Sequence, residues 1–350
     1  MRLLVLGGTR FLGRSIVDEA VSRGYDVTTF TRGQSGHPRP GAEALHGDRT
    51  SAGDLTPLAG REWDGVIDTS VLAPEHVAAS ARALAGQARH YTYISSISAY
   101  AGFPAEPVTE DSPVVEGTLG AEGNDFGLEY SLLKVGSERA AAEAFPGRSL
   151  IVRPGLIVGP HENVGRLPWW LARFAAGGTV LAPGAPGRPV QVTDARDLAA
   201  WVVDNTRRGI FGVVNVPGPE GTTMGQLLAA CAHATAAART GGGGADSERH
   251  LLRWVPDSAL VAAGVEEDVD LPLWAPDTPE NAGVWQVAGD RALRTGIRYR
   301  PLADTVHDTW LWMKQEGATT GKPPGEVGRR EGIGMTPNRE RAILATLPPT

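Results

Sequence analysis

A phenol and an amine stand four residues apart in Tyr130-Ser131-Leu132-Leu133-Lys134. On a helix that spacing puts both side chains on one face. A tyrosine hydroxyl, with an ordinary pKa of about 10, is a poor acid or base at neutral pH, but an adjacent ammonium favours its phenolate. Such a pair suits proton transfer at the oxygen of an alcohol or carbonyl. Upstream, Ile94-Ser95-Ser96-Ile97-Ser98 closes an apolar run, and Ser96 can donate to the same oxygen. Ser96, Tyr130 and Lys134 are therefore the candidate catalytic residues, with serines that merely end a strand as the plain alternative for Ser96. Lysine usage singles out the same position. Of 33 basic residues only Lys134, Lys314 and Lys322 are lysine, so the first 313 residues hold one. The skew towards arginine fits a GC-rich coding bias. A position that resists it is a candidate for a compact, proton-exchanging charge, which guanidinium does not supply.

A second constellation is Gly7-Gly8-Thr9-Arg10-Phe11-Leu12-Gly13, after the apolar run Leu3–Leu6 and before a helical pattern. Unpaired N–H groups and the positive dipole end of a helix start suit a pyrophosphate, and glycines let it approach the backbone. The spacing is not G-x-G-x-x-G. Glycine holds the first and seventh places, and Arg10 stands where a G-x-x-G-x-x-G variant has its middle glycine. Dinucleotide folds that take NAD place an acid at the end of the second strand for the ribose 2′-hydroxyl. Here that stretch reads Thr29-Phe30-Thr31-Arg32-Gly33. Arg32 and Arg10 can bracket a 2′-phosphate instead, which favours NADP(H) over NAD(H); two solvated arginines are the plain alternative. Asp48, past the third strand, is a candidate partner for the adenine amino group or a turn-forming aspartate.

These groups need a scaffold, and the first 150 residues supply an alternating one. Strand patterns at Leu3–Leu6, Tyr25–Phe30, Ala42–His46, Gly65–Thr69, Tyr91–Ile94 and Leu150–Val152 are interleaved with helical ones. The helical patterns fall at Leu12–Val21, His76–Leu84 and Tyr130–Ala144. The expectation is a doubly wound, Rossmann-type parallel α/β sheet with a smaller C-terminal substrate lobe. Residues 1–154 form the dinucleotide-binding domain, with return segments near 190–216. Residues 155–313 are mainly the lobe, and 314–350 are a linker, centred on 315–335, and a short helix started by Thr336-Pro337. Eight of the nine tryptophans lie beyond residue 155. They read as core, with an aromatic-accepting pocket as the alternative. Gly241–Gly244 reads as a flexible loop.

Composition excludes other classes. A net charge of −7 argues against a nucleic-acid coat or a polybasic membrane anchor. Cys231 is the sole cysteine, which suits a reducing compartment. No run is long enough for a membrane helix and the first apolar run is too short for a signal core, so a cytoplasmic protein is expected. The eight histidines show no ligand spacing, so no metal is expected. No Gly-x-Ser-x-Gly elbow is present.

The glycine turn, Ser95-Ser96-x-x-x-Tyr100, Tyr130-x-x-x-Lys134, Arg153-Pro154-x-x-x-x-Gly159-Pro160 and Asp194-Ala195-Arg196-Asp197-Leu198-Ala199 occur in this order. In this order they resemble the extended short-chain dehydrogenase/reductase superfamily, and within it the NAD-dependent epimerase/dehydratase family, over roughly residues 1–313. The resemblance implies that Ser96 holds the reacting oxygen and Tyr130 is the acid/base. Lys134 then supports Tyr130 and binds the nicotinamide ribose. Phe11 and Leu12 cover the pyrophosphate turn, and the backbone after Pro154 faces the nicotinamide. Candidate substrate contacts are Ser98, His161 (in a segment that also reads as a polar loop) and Arg188, an approximate counterpart of a sugar-nucleotide diphosphate contact. A helix-packed homodimer is a further expectation. Three features depart from the family: Arg10, a long interval from Ser96 to Tyr130 with an insert around Gly117–Gly127, and the loose match at Arg188. Arg10 resembles an atypical branch. The expected function is an NAD(P)-dependent oxidoreductase acting on a small-molecule alcohol or carbonyl. The alternatives are an epimerase or dehydratase of sugar or sugar-nucleotide type that recycles its cofactor internally, and a non-catalytic dinucleotide- or RNA-binding member.

Overall fold

Strands without a polar face must be covered on both sides, and Leu3–Leu6 of the first strand are 0% exposed. The computed structural model describes residues 1–117, 128–236, 252–320, 322, 327–328 and 331–347. The expected insert, beyond Gly117, and the Gly241–Gly244 loop lie outside the described residues. In chain order the elements are β1 (Arg2–Leu6), α1 (Phe11–Ser22), β2 (Asp26–Thr31), β3 (Ala42–His46), β4 (Gly65–Asp68), α2 (Pro74–Leu84), β5 (Tyr91–Ile94), α3 (Leu128–Ala144) and β6 (Ser149–Pro154). There follow β7 (Leu156–Val158), α4 (Arg166–Ala175), β8 (Val180–Pro183), β9 (Val192–Asp194), α5 (Ala195–Arg208), β10 (Gly212–Val216), α6 (Met224–Ala234) and β11 (Leu252–Val255). The last are α7 (Asp257–Ala262), α8 (Asp290–Arg294), α9 (Leu302–Thr320) and α10 (Pro337–Thr346).

Seven strands form one sheet in the order β10-β6-β5-β4-β1-β2-β3. Every pairing in it is parallel. Alternate residues serve opposite faces. Leu4, Leu6, Val66, Tyr91, Tyr93 and Ile151 pack on Val77, Ala81 and Leu84 of α2, on Ala140 and Ala141 of α3, and on Phe145 just after it. On the other face Thr92 shares a 2.7 Å hydrogen bond with Thr206 of α5, which packs along α1. The fold is the Rossmann-type α/β sandwich expected. Strand order reverses between β1 and β4, and ligands of such sheets bind at the carboxyl ends flanking that reversal.

The chain divides into two units. The first comprises Met1–Leu156, Ala195–Gly218 and Gln286–Tyr299; the second comprises Ile157–Asp194, Pro219–Trp285 and Arg300–Thr350. The return at Ala195–Gly218 falls near the 190–216 read from the sequence; the return at Gln286–Tyr299 carried no sequence signal. In the second unit α4 packs with α6 and α9. Trp170 of α4 is fully buried and donates to the Pro272 carbonyl at 2.7 Å. Helix α9 continues to Thr320, where a linker from 315 was expected, because Val306, Trp310, Met313 and Gly317 form one buried stripe. Thr336 caps α10 by accepting from the Arg339 N–H, with Pro337 in the first turn.

Candidate active site

The glycine turn sits where β1 leaves the sheet. Gly7 and Gly8 have φ of 110° and 105°, in the left-handed range. A Cβ on Gly7 would lie 2.3 Å from Thr69 Oγ1, and one on Gly13 would lie 2.8 Å from the backbone nitrogen of Gly8. Both positions therefore exclude any larger residue, and Gly13 is what lets α1 approach the turn so closely. Arg10 is the N-cap of α1 without a side-chain hydrogen bond to the helix, and no acid stands in the first turn. Phe11, at φ 36°, is a non-glycine residue in the left-handed range, strain of a kind that collects at binding sites. An open, acid-free helix start behind a Cβ-excluding turn fits the pyrophosphate of a dinucleotide.

Ser96 and Ser98 belong to a single turn after β5, and Tyr130 and Lys134 to the first turns of α3. Ser96 Oγ accepts from the Ser98 N–H at 3.1 Å and from the Ser98 hydroxyl at 3.0 Å. A hydroxyl has two acceptor positions and one hydrogen. With both acceptor positions taken, Ser96 is left to donate. Lys134 is 2% exposed. Its ammonium donates to the carbonyls of Ile94 at 2.8 Å and Ser70 at 3.3 Å, so it ties the ends of β5 and β4 together. The same nitrogen lies 5.0 Å from the Tyr93 ring centre and 5.6 Å from that of Tyr130. Burial lowers its pKa to about 8, against the opposing pull of Asp68 and Glu138.

Two buried ion pairs flank Lys134, and neither was singled out in the sequence. Asp68, at the end of β4, receives Arg49 Nη1 on Oδ1 at 2.9 Å and Arg49 Nη2 on Oδ2 at 2.7 Å. The Ser70 N–H and hydroxyl also reach Oδ1, at 3.0 and 2.6 Å, and the Tyr91 hydroxyl reaches Oδ2 at 2.7 Å. Burial would raise the Asp68 carboxyl, but Arg49 and these donors hold it below the usual carboxylate range. On α3, Glu138 accepts Arg153 Nε at 2.9 Å, Arg153 Nη2 at 2.5 Å and the Ser95 hydroxyl at 2.5 Å. Arg153 lies over the Tyr100 ring, whose hydroxyl donates to Asn215 at 2.6 Å. Usable signals existed: Asp68 is the one charge on a buried strand, and Glu138 stands one helical turn after Lys134.

The remaining candidates divide between the units. Arg32 is exposed just after β2, and Pro154 is buried at the end of β6. Asp48 Oδ1 accepts the Thr50 N–H at 3.0 Å and the Thr50 hydroxyl at 2.8 Å. That turn, more than its neighbour Arg32, keeps the carboxyl below its ordinary value. His161 and Arg188 belong to the second unit. His161 has φ 67° and meets the Trp312 ring at a tilt of 60°, with ring centres 5.1 Å apart. Arg188 is engaged by Asp257 at 2.7 Å and donates to the Ala275 carbonyl. Among the described residues no cluster of His, Cys, Asp or Glu is placed to hold a metal ion, and no helix is long and apolar enough to cross a membrane.

Known proteins resemble this chain in sequence or in fold. Residues 3–69 match the model of the NAD dependent epimerase/dehydratase family. That segment runs from β1 through the glycine turn to Thr69, and it bears out the family resemblance read from the motifs. Over the whole fold, the Bordetella bronchiseptica enzyme WbmH, solved in complex with NAD+, superposes with a TM-score of 0.65 at 17% identity. The match covers 90% of this chain and 99% of that one. Human epimerase family protein SDR39U1, solved with NADPH, gives a TM-score of 0.57 at 19% identity over 88% of this chain and 99% of that one. In sequence the chain is 26% identical to the chloroplast stem-loop binding protein of 41 kDa b of Arabidopsis thaliana. That match covers 67% of this chain and 63% of the plant protein's length.

Proposed function

We propose that the protein is a nicotinamide-dinucleotide-dependent enzyme that interconverts an alcohol and a carbonyl on a small-molecule substrate. The observation that carries this reading is Lys134. A buried ammonium pinned by two main-chain carbonyls beside Tyr130 costs stability, as a group kept for its chemistry does. The glycine turn and the N–H groups at the start of α1 hold the pyrophosphate. A bound nicotinamide ring supplies hydride acceptance and donation at carbon. Tyr130 then takes the hydroxyl proton as the alcohol is oxidised and returns it as the carbonyl is reduced. Lys134 stabilises the phenolate that accepts this proton and reaches the ribose hydroxyls. Ser96, left to donate, holds the substrate oxygen. Arg32, just after a second strand whose carboxyl end lacks an acid, together with Arg10 favours NADP(H) over NAD(H) through a 2′-phosphate. The test is Tyr130→Phe, which is expected to abolish turnover while leaving dinucleotide affinity unchanged. Undiminished turnover would refute the mechanism.

A second reading keeps the same residues but returns the hydride within one cycle, as an epimerase or dehydratase would. The family match over residues 3–69 and the likeness to a structure holding NAD+ support it. Protein purified with oxidised cofactor retained, and with no net consumption of NADPH, would favour this reading. A third reading, RNA binding, draws support from the name of the plant relative. The net charge of −7 opposes it. Nucleic-acid binding without measurable NAD(P) affinity would put it first.

A further inference from the structure

The Arg49–Asp68 pair is more elaborate than packing requires. A buried ion pair gains little over well-packed apolar residues, because desolvation cancels much of the attraction. Yet Arg49 also donates to Ser80 at 2.8 Å and to Ser70 Oγ at 2.7 Å, so the pair is tied to α2 and to the segment after β4. Three of its hydrogen bonds converge on Ser70, and the Ser70 carbonyl receives the Lys134 ammonium. We propose that Arg49 and Asp68 are positioning residues for Lys134, acting through Ser70. The inference rests on the role of Lys134 in the proposed function. Asp68 fixes the direction of the Ser70 carbonyl by gripping the amide and hydroxyl of the same residue. Arg49 fixes Asp68 by occupying both carboxylate oxygens. The carboxylate also sets the charge around the amine, since Asp68 is the foremost group opposing the effect of burial on Lys134. The other groups facing the ammonium are Glu138, already bonded to Arg153, and the rings of Tyr93 and Tyr130.

Lysine scarcity makes this measurable on the protein without cofactor or substrate. Selective 13Cε-lysine labelling gives three signals, for Lys134, Lys314 and Lys322, and Lys134→Gln assigns the one of interest. In the unaltered protein that signal is expected to titrate near 8. In Asp68→Asn it is expected to titrate roughly one pH unit lower, because an attractive charge has been removed. The alkaline limit of kcat should move down with it, while a merely structural loss would lower activity at every pH alike. Asp68→Asn orphans Arg49, so Arg49→Met with Asp68→Leu is made in parallel to remove both charges together. A smaller downward movement is expected there, because the repulsion of Arg49 is lost together with the attraction of Asp68. A folded variant of either kind whose Lys134 titration is unchanged overturns the inference. The signal can move even if Tyr130→Phe proves active, so a failure of the proposed reaction is distinguishable from a failure of this one.

Discussion

Replacing Lys134 by methionine should make the protein inactive and, at neutral pH, more stable. The lysine titrates at about 8 in the fold against an ordinary 10.5. Between those values the unfolded chain keeps the proton and the folded chain has lost it, so the folded state gains stability as pH rises through that window. Below the window both states hold the proton, and the buried charge costs about 3 kcal/mol relative to the neutral amine. Methionine fills a similar volume without charge. It forfeits the hydrogen bonds to the carbonyls of Ile94 and Ser70, each worth about 1 kcal/mol, which leaves a net gain of about 1 kcal/mol at pH 7. The pH dependence is the sharper prediction, because the lost hydrogen bonds cancel from it. By pH 10 the parent should have recovered about 2.5 kcal/mol relative to Lys134→Met. Urea unfolding of both proteins at several pH values, each carrying Tyr130→Phe so that the phenol does not titrate, measures the difference. Asp68, Glu138 and Tyr93 are common to both and drop out. A stability difference that stays constant from pH 7 to 10 would refute the account of Lys134 as a buried, strained charge.

Two further substitutions probe the scaffold. Gly13→Ala places a Cβ 2.8 Å from the Gly8 nitrogen, a backbone atom that cannot swing aside. Overpacking of this kind costs roughly 1–3 kcal/mol, and pushing α1 off the turn should weaken dinucleotide binding roughly tenfold or more in a fluorescence titration. Glu138→Gln leaves the Arg153 guanidinium buried without its counter-charge. The expected loss is about 3–5 kcal/mol, read from the urea midpoint, and a change below about 1 kcal/mol would show that the pair is solvated.

How far the sequence carried the reading depended on the range of the signal. The strands were legible because apolar runs such as Leu3–Leu6 and Tyr91–Ile94 are local and bounded, and the glycine turn because its glycines do a local job. Tyr130 and Lys134 were legible because helical spacing fixes their relation without knowledge of the fold. The partners of Lys134 were not. Its acceptors lie 40 and 64 residues away, on Ile94 and Ser70. Arg49 and Asp68 meet across 19 residues only because β3 and β4 end on the same edge of the sheet. Residues from 315 on read as a linker, since Glu316-Gly317-Ala318-Thr319-Thr320 holds no apolar run, yet α9 reaches Thr320. The buried stripe that extends the helix is set by tertiary packing. Asp48 shows the reverse case, where the local turn with Thr50, the alternative the sequence offered beside an adenine contact, is formed through one carboxylate oxygen.

The coding bias that made arginine the common base leads to a physical division of labour inside the first unit. Among the described residues the buried Lys and Arg side chains are Arg49, Lys134 and Arg153. Both arginines face carboxylates through two nitrogens each, a geometry that suits a planar fork whose charge is permanent. Lys134 is bonded to neutral carbonyls, with the carboxylates of Asp68 and Glu138 opposing the effect of burial on it. A guanidinium in that place would stay protonated at any working pH. An amine there is poised near neutrality and can respond to a proton on its neighbour. Permanent charges thus hold the frame on either side, and the one base free to change its charge stands between them, beside the phenol.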